Sequence, residues 1–301
     1  MDKIETKIPT LNPVVFRDNY IRNNSDKLLN NPTINHFFIH SFKEDPVNLS
    51  LPLPPHKKTV NDFVFITNGS MIMTIGIESF HLEKNDFLFT PKNLISSTEY
   101  ASIDLEGYYC HFSDDFIMAN PFVEMWQSND YDNNTISVSE NSNTILFLLN
   151  RVVELYKSNN ESPNKEKVIS FYISTLMAEL FLIFKKTPIN NQKGNSTYLS
   201  FKSLVSKYLN ERLSIKDYAA LLHVSPNHLN KKIKNETGKT AIEIINELTI
   251  LEAKVLLLQS KRTVSEISME LGFNDASYFS RFFKSKTNHS PLEYRNMIDL
   301  S

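Results

Sequence analysis

At 301 residues, with 41% hydrophobic and 22% charged side chains and only 6 glycines, the chain suits two ordinary globular domains and excludes a disordered or fibrous protein. Its apolar runs fall far short of the roughly 18 residues that span a bilayer. The N-terminus lacks the apolar stretch of a secretory signal and the single Cys110 cannot form an internal disulfide, so a reducing cytoplasm is the expected location. The net charge of −2 hides an asymmetry: residues 1–200 carry 17 basic and 23 acidic side chains (−6), and residues 201–301 carry 15 and 11 (+4). A basic C-terminal third suits a polyanionic partner.

From Asn61 to Phe112 the apolar pattern has a period of two. Phe63–Ile66 and Met71–Phe80 flank Thr67-Asn68-Gly69-Ser70, and Asn-Gly between β-rich runs predicts a hairpin. Further strands are predicted at Phe87–Thr90, stopped by Pro91, and at Tyr108–Phe112, after the turn-prone Asp104–Gly107. Strands this short and this closely spaced indicate a β-sandwich or barrel. The alternating aromatics Phe63, Phe65, Phe87, Phe89 and Tyr108 are expected to fill its interior, the other reading being that they line a ligand cavity.

Two helices follow. Thr144–Lys157 carries Ile145, Leu148, Leu149, Val152, Val153 and Tyr156 at spacings of three and four, and Val168–Lys186 has a broad apolar face. The polar, breaker-rich 187–196 stretch predicts an interdomain linker, placed at 188–197. The predicted domains are therefore 1–187, strands with a helical extension, and 198–301, helical throughout.

The C-terminal part contains a near-repeat. Ser214 precedes Ile215, Tyr218, Ala219 and Leu222; Thr263 precedes Val264, Ile267, Ser268 and Leu271 at the same spacings. The turns His223-Val224-Ser225-Pro226 and Gly272-Phe273-Asn274-Asp275 then open second helices bearing Leu229 and Ile233, or Phe279 and Phe283. Ser214 and Thr263 are good N-caps, Ala219 and Ser268 are small enough for a close helix crossing, and Gly272 and His223 tolerate the left-handed backbone of a sharp turn. Each unit is thus a predicted helix-turn-helix, and its second helix keeps an outer face free. That face holds Asn227, His228, Asn230, Lys231 and Lys234 in the first unit, and Ser277, Tyr278, Ser280, Arg281 and Lys284 in the second. Such side chains hydrogen-bond base edges and grip phosphates. A connecting helix, Ala241–Gln259, is about 28 Å long at 1.5 Å per residue. It suits two adjacent major grooves, which lie about 34 Å apart.

These residues resemble the DNA-binding domain of AraC/XylS-type bacterial regulators over about 201–295, most specifically in 267–284 and in Ser290-Pro291-Leu292-Glu293-Tyr294-Arg295. Leu229, Lys234, Gly238, Ala253 and Leu257 fall on family positions too, whereas Thr249 stands where members often carry Arg, and Asn288 where they often carry Gly. Asn68-Gly69 and 82–91 resemble the cupin-type barrel that often accompanies this domain. The resemblance implies an α+β multidomain chain: a cupin-like barrel with helical extension, then an all-α domain of two helix-turn-helix units. It further implies double-stranded promoter DNA and RNA polymerase as partners of a transcriptional activator, a small-molecule effector in the barrel, and a homodimer formed through the adjoining helices. An effector-free regulator and a cupin-like enzyme are the alternatives.

His36, His40, His56, His81 and His111 are scattered without the His-x-His spacing of a metal-binding cupin. No phosphate loop, nucleophile elbow or paired-carboxylate motif is present. No metal, cofactor or catalytic residue is therefore expected.

Overall fold

The computed structural model describes residues 10–21, 31–44, 51–117, 121–127, 135–158, 162–186 and 197–299. The chain divides into two compact units, Thr10–Asn191 and Gln192–Ser301. The predicted linker lies outside the described residues, apart from Thr197.

In the first unit, helix α1 (Pro13–Tyr20) is followed by strands β1 (Phe37–Ser41), β2 (Leu53–Lys57), β3 (Asn61–Asn68), β4 (Met71–Ile75), β5 (Glu78–Leu82), β6 (Asp86–Thr90), β7 (Ile95–Ala101) and β8 (Glu106–Phe112). Short helices α2 (Asp114–Ile117) and α3 (Pro121–Gln127) and strand β9 (Thr135–Ser137) lead to the long helices α4 (Ser142–Lys157) and α5 (Lys165–Lys186). The strands form two antiparallel sheets, ordered β1-β8-β3-β6-β9 and β2-β7-β4-β5.

The predicted hairpin at Asn68-Gly69 is a corner instead. Strand β3 pairs with β6 and β8, whereas β4 pairs with β5 and β7 in the other sheet. A two-residue hairpin of the expected kind needs positive φ at both central positions, and of this pair only Gly69 has it, at 76°. The corner is tied elsewhere: Asn68 Nδ2 donates to the Asp104 carbonyl at 2.9 Å, and the Ser70 N–H donates to Ser102 Oγ at 2.9 Å. The tight hairpin lies inside the run expected to be one strand, where Ile75 faces Glu78 across Gly76-Ile77.

Period two also decides which residues meet the helices. Phe63, Phe65, Phe87, Phe89 and Phe112 are fully buried in one cluster with Ile145, Leu149 and Val152 of α4 and Ile173, Leu176 and Leu180 of α5. Their neighbours Val64, Ile66 and Leu88 point through the opposite face of the same strands and join Met71, Met73, Ile75 and Leu82 between the sheets. The unit is therefore three layers: helices, five-stranded sheet, four-stranded sheet. The aromatic alternation fills the seam between helices and sheet rather than the space between the sheets. Tyr108 is partly buried at the edge of that seam, where its hydroxyl bonds Asn150 Oδ1 of α4 at 2.5 Å.

Between the sheets lies a cavity of about 350 Å³. His40, His56 and His111, scattered in sequence, all reach its wall. Among the described residues no group of three His, Cys, Asp or Glu side chains stands close enough to hold a metal ion.

Burial pushes the imidazoles of His56 and His111 down to about 3; the nearby Lys58 charge acts in the same direction, and hydrogen bonds to the Pro54 and Ile34 carbonyls oppose it. Unfolded, such rings take up a proton near 6.5. Between about pH 6.5 and 3 the two rings thus bind protons only in the unfolded chain, so their contribution to stability is whole above 6.5 and falls as the pH drops, while the Asp62 carboxyl, raised by burial, works in the opposite sense. Each ring contributes up to about 1.4 kcal/mol per pH unit within that window. Urea midpoints of the first unit, followed by fluorescence of the single tryptophan Trp126, are expected to fall markedly between pH 7.5 and pH 5. The fall is expected to be smaller in His111→Phe than in the unaltered chain, and an equal fall in both would contradict the buried, neutral state of that ring.

The second unit is helical: α6 (Thr197–Tyr208), a 3-10 turn (Leu209–Glu211), α7 (Ile215–Leu221), α8 (Pro226–Thr237), α9 (Ala241–Gln259), α10 (Val264–Glu270), α11 (Ala276–Thr287) and α12 (Pro291–Asp299). Phe201 and Val205 of α6 are fully buried, and Phe201 meets Tyr218 of α7 edge-on, with ring centroids 5.4 Å apart. Ile250, Ala253, Leu256 and Leu257, in the second half of α9, share a core with Ile267, Leu271, Phe279 and Phe283. No helix among the described residues is long and apolar enough to cross a membrane.

Candidate nucleic-acid interface

The two units of the near-repeat are built from the same local devices. Ser214 and Thr263 accept hydrogen bonds from the backbone of Asp217 and Glu266, whose carboxylates bond back to the cap N–H, completing a capping box at the start of α7 and of α10. At the far ends, His223 N–H donates to the Ala220 carbonyl and Val224 N–H to that of Ala219; Gly272 and Phe273 repeat this onto Met269 and Ser268. This paired 5→2 and 6→1 arrangement needs a left-handed residue after the helix. His223 and Gly272 supply it, with φ of 54° and 74°. Ala219 and Ser268 are buried at the helix crossings.

The repeat runs further than the sequence pattern indicates. Helices α8 and α11 each end on a left-handed residue, Gly238 (φ 75°) and Asn288 (φ 64°). In each, a threonine hydroxyl, Thr237 or Thr287, bonds back into its helix and forward to the residue after the turn. Capping pairs Thr240–Glu243 and Ser290–Glu293 then start α9 and α12. The cap backbone N–H groups, aided by the hydroxyls, hold the Glu243, Glu266 and Glu293 carboxyls below their ordinary range. Each unit thus comprises three helix starts, not two.

The C-terminal stretch Pro291-Leu292-Glu293-Tyr294-Arg295 closes the fold. The Tyr294 ring meets Phe283 edge-on at 5.5 Å, and the Arg295 guanidinium donates to the carbonyls of Leu257 and Arg262 at 3.0 and 2.6 Å. Arg295 thereby fixes α12 across the end of α9. At Thr249, where the family often carries Arg, the hydroxyl is buried and bonds the Ile245 carbonyl at 2.8 Å.

The ten outer-face residues form five pairs at an offset of 50: Asn227 with Ser277, His228 with Tyr278, Asn230 with Ser280, Lys231 with Arg281, and Lys234 with Lys284. Leu229, Ile233, Phe279 and Phe283 are fully buried, which sets the opposite face of α8 and α11 outward. Asn227, His228, Lys231, Lys234, Ser277, Tyr278, Arg281 and Lys284 are exposed there. One pair departs. Asn230 is half-buried and accepts a bond from the Ala241 N–H at 3.3 Å, and Ser280, half-buried, donates to the Ala276 carbonyl at 2.8 Å. Their polar atoms serve the fold, leaving less to offer a partner. Asn235, absent from the sequence-based set, is exposed one turn beyond Lys231 on the same face, and a count of four residues along the helix would have found it.

The electrostatics follow. Helix α8 exposes Lys231, Lys232 and Lys234, and α11 exposes Arg281, Lys284 and Lys286, against the single acid Glu236 within the two helices. Asp275 is spent as the N-cap of α11, accepting from the Ser277 N–H at 2.6 Å, which holds its carboxyl below the ordinary range. Two duplicated, cation-bearing helices with buried inner faces and polar outer faces define the helix-turn-helix class of nucleic-acid-binding domain.

Comparison with known proteins agrees. Residues 218–297 match the family model described as a helix-turn-helix domain. The chain is 28% identical over 138 residues to the bifunctional transcriptional activator/DNA repair enzyme AdaA of Bacillus subtilis, covering 45% of this chain and 65% of that protein. It is 23% identical over 252 residues to the uncharacterized HTH-type transcriptional regulator YisR of the same organism, covering 80% and 87%. It is 22% identical over 254 residues to the HTH-type transcriptional activator RhaR of Mannheimia succiniciproducens, covering 81% and 88%. Of the first relatives the chain spans less than two thirds, 65% of AdaA and 45% of the B. subtilis regulator YobQ. Among solved structures, ToxT from Vibrio cholerae O395 aligns over 86% of this chain and 98% of its own at 16% identity, with a TM-score of 0.41. The C-terminal domain belongs to the AraC/XylS-type helix-turn-helix family.

Proposed function

We propose that the protein is a sequence-specific DNA-binding transcription regulator, an activator acting in the cytoplasm and not an enzyme. Each protomer reads two adjacent major-groove segments, one with α8 and one with α11. The observation that carries this reading is the duplication of an exposed face whose cations and amides recur at one offset, Lys231 with Arg281 and Lys234 with Lys284. The contacts proposed are Lys231, Arg281, Lys234, Lys284, Asn227, His228, Ser277 and Tyr278, with Asn235 added and with Asn230 and Ser280 in a supporting role.

Residues 1–187 then form the sensor and assembly domain, 188–197 the connector and 198–301 the DNA-binding domain. The sensor holds a small-molecule effector in the cavity between its sheets, whose volume and mainly apolar lining fit a small-molecule site. Homodimerisation is supported by Phe147 of α4 and Phe171 and Leu182 of α5, which are 66%, 59% and 54% exposed on otherwise well-buried helices. RNA polymerase is the partner an activator needs.

Genomic fragments selected by the full chain are expected to share a motif of two protected segments about ten base pairs apart per protomer. Affinity for them is expected to fall steeply with salt. Failure to enrich any fragment over random DNA would end the proposal. Sedimentation of the Phe171→Glu variant is expected to yield monomer where the unaltered chain gives dimer.

A further inference from the structure

The Lys58, His56, Tyr109 and His111 side chains gather toward one end of the cavity between the sheets, and at the other end the Ser102 hydroxyl is already taken by the Ser70 N–H. Strand β7 opposes β2 through Ser96 and His56, and β4 through Ala101 and Met71, so these pairs mark opposite ends of the four-stranded sheet. On the facing sheet, Tyr109 and His111 lie toward the His56 end, while Leu105, just before β8, lies toward the Met71 end. The Lys58 ammonium, with its side chain 9% exposed, joins the polar group: it pairs with Asp62, reaches Tyr109 Oη at 3.5 Å, and sits 5.5 Å from the ring centroids of both Phe16 and Tyr109. Val64, Met71, Met73, Phe42 and Leu105 make the other end apolar. Among the described lining residues Ile103 and Leu51 are the large apolar ones open to solvent, and Ile103 flanks the apolar end. The polar group is therefore the deep end.

Its hydrogen-bonding capacity is specific. His56 is 2% exposed, and its Nδ1 lies 2.8 Å from the Pro54 carbonyl. A carbonyl only accepts, so Nδ1 carries the proton and the neutral ring presents Nε2 as an acceptor. That Nε2 has no hydrogen-bond partner among the described residues. Lys58 has three N–H donors, of which Asp62 and Tyr109 account for two. Both cations of the wall already have a carboxylate, Lys58 the buried Asp62 and Arg17 the neighbouring Asp18, so a second anion would enter without a counter-charge of its own. A cation would meet Lys58 itself.

Resting on the effector reading above, we infer that the cavity takes an uncharged, mostly apolar small molecule whose deep head is a hydroxyl-type group, accepting a hydrogen bond from Lys58 and donating one to His56. Its apolar body lies along Val64, Met71 and Met73. An unpaired buried acceptor costs stability, and the hydroxyl proton of this head group satisfies it.

The test is calorimetry and thermal unfolding of the full chain with three probes of one length: octan-1-ol, octanoate and octylamine. Octan-1-ol is expected to bind and raise the unfolding temperature, with octanoate and octylamine at least about tenfold weaker. His56→Phe is expected to weaken octan-1-ol about tenfold and leave octanoate unchanged. The probe series needs no variant, so it decides even if His56→Phe does not fold. Octanoate or octylamine binding as tightly as the alcohol would overturn the head-group inference and leave the effector cavity standing. Binding of none of the three would overturn both.

Discussion

Gly272→Ala is expected to destabilise the C-terminal domain by about 2 to 5 kcal/mol, the sum of a left-handed backbone strain of about 1 to 2 kcal/mol and an overpacking cost of about 1 to 3. The backbone there has φ of 74°, and a methyl group would stand 2.2 Å from the Asn210 carbonyl oxygen and 2.8 Å from Arg212 Cγ. A carbonyl oxygen of the main chain cannot swing aside as a side-chain tip can. Gly238, with φ of 75°, is the internal control, because a methyl group at that position meets nothing within 4 Å. Gly238→Ala should therefore cost only the conformational strain, about 1 to 2 kcal/mol. Urea unfolding followed by helical circular dichroism separates the two, and equal costs would refute the steric account. His223 occupies the matching place in the first unit at φ of 54°, so the difference between the turns lies in their surroundings.

The double substitution Lys231→Ala with Arg281→Ala is expected to weaken specific DNA binding by about 2 to 6 kcal/mol per protomer, at about 1 to 3 for each side chain truncated. Both side chains are exposed at matched positions on α8 and α11, and neither takes part in the buried core, so the fold should be unaffected. Asn230→Ala and Ser280→Ala should change affinity far less. Asn230→Ala should instead show as a small drop in stability, since its carbonyl oxygen meets the N–H of Ala241 at the start of α9. Competition binding at a fixed moderate salt concentration reads the double variant and both single ones. Unchanged affinity in the double variant would show that the reading heads lie elsewhere.

The helical half is the more legible in sequence. Ala241–Gln259 can be bounded to the residue, because Thr240 with Glu243 and the break at Ser260 are local signals that stop a helix wherever it sits. Gly272 and His223 are legible for the same reason. The strands are less so. Leu53–Lys57 contains Pro54 and Pro55, and Ile95–Ala101 contains Ser96, Ser97 and Thr98; neither has the apolar alternation that marks β3 and β6. They are strands because they pair across a sheet, a long-range fact. The Asn68-Gly69 turn misleads because a hairpin and a corner between sheets share the same two residues, and only the pairing of the flanks tells them apart. Of the candidate DNA-facing residues, eight of the ten are exposed as expected, and helical geometry alone could set aside Asn230 and Ser280, which border the buried stripe.

The packing of Asn210 and Arg212 against the second turn carries one more consequence. Arg212 lies with its guanidinium carbon 3.8 Å from the centre of the Phe273 ring, on a stretch that precedes the first helix-turn-helix unit in the chain. The two units are thus joined twice, once along α9 and once through this stacking, which closes a loop of structure that a single rod would leave open. A ruler fixed at both ends cannot stretch to suit what it measures. Adding or removing a single base pair between the two DNA segments should therefore be charged to the DNA, which must twist or bend to meet a fixed gauge, and tolerance for spacing among natural sites should be narrow.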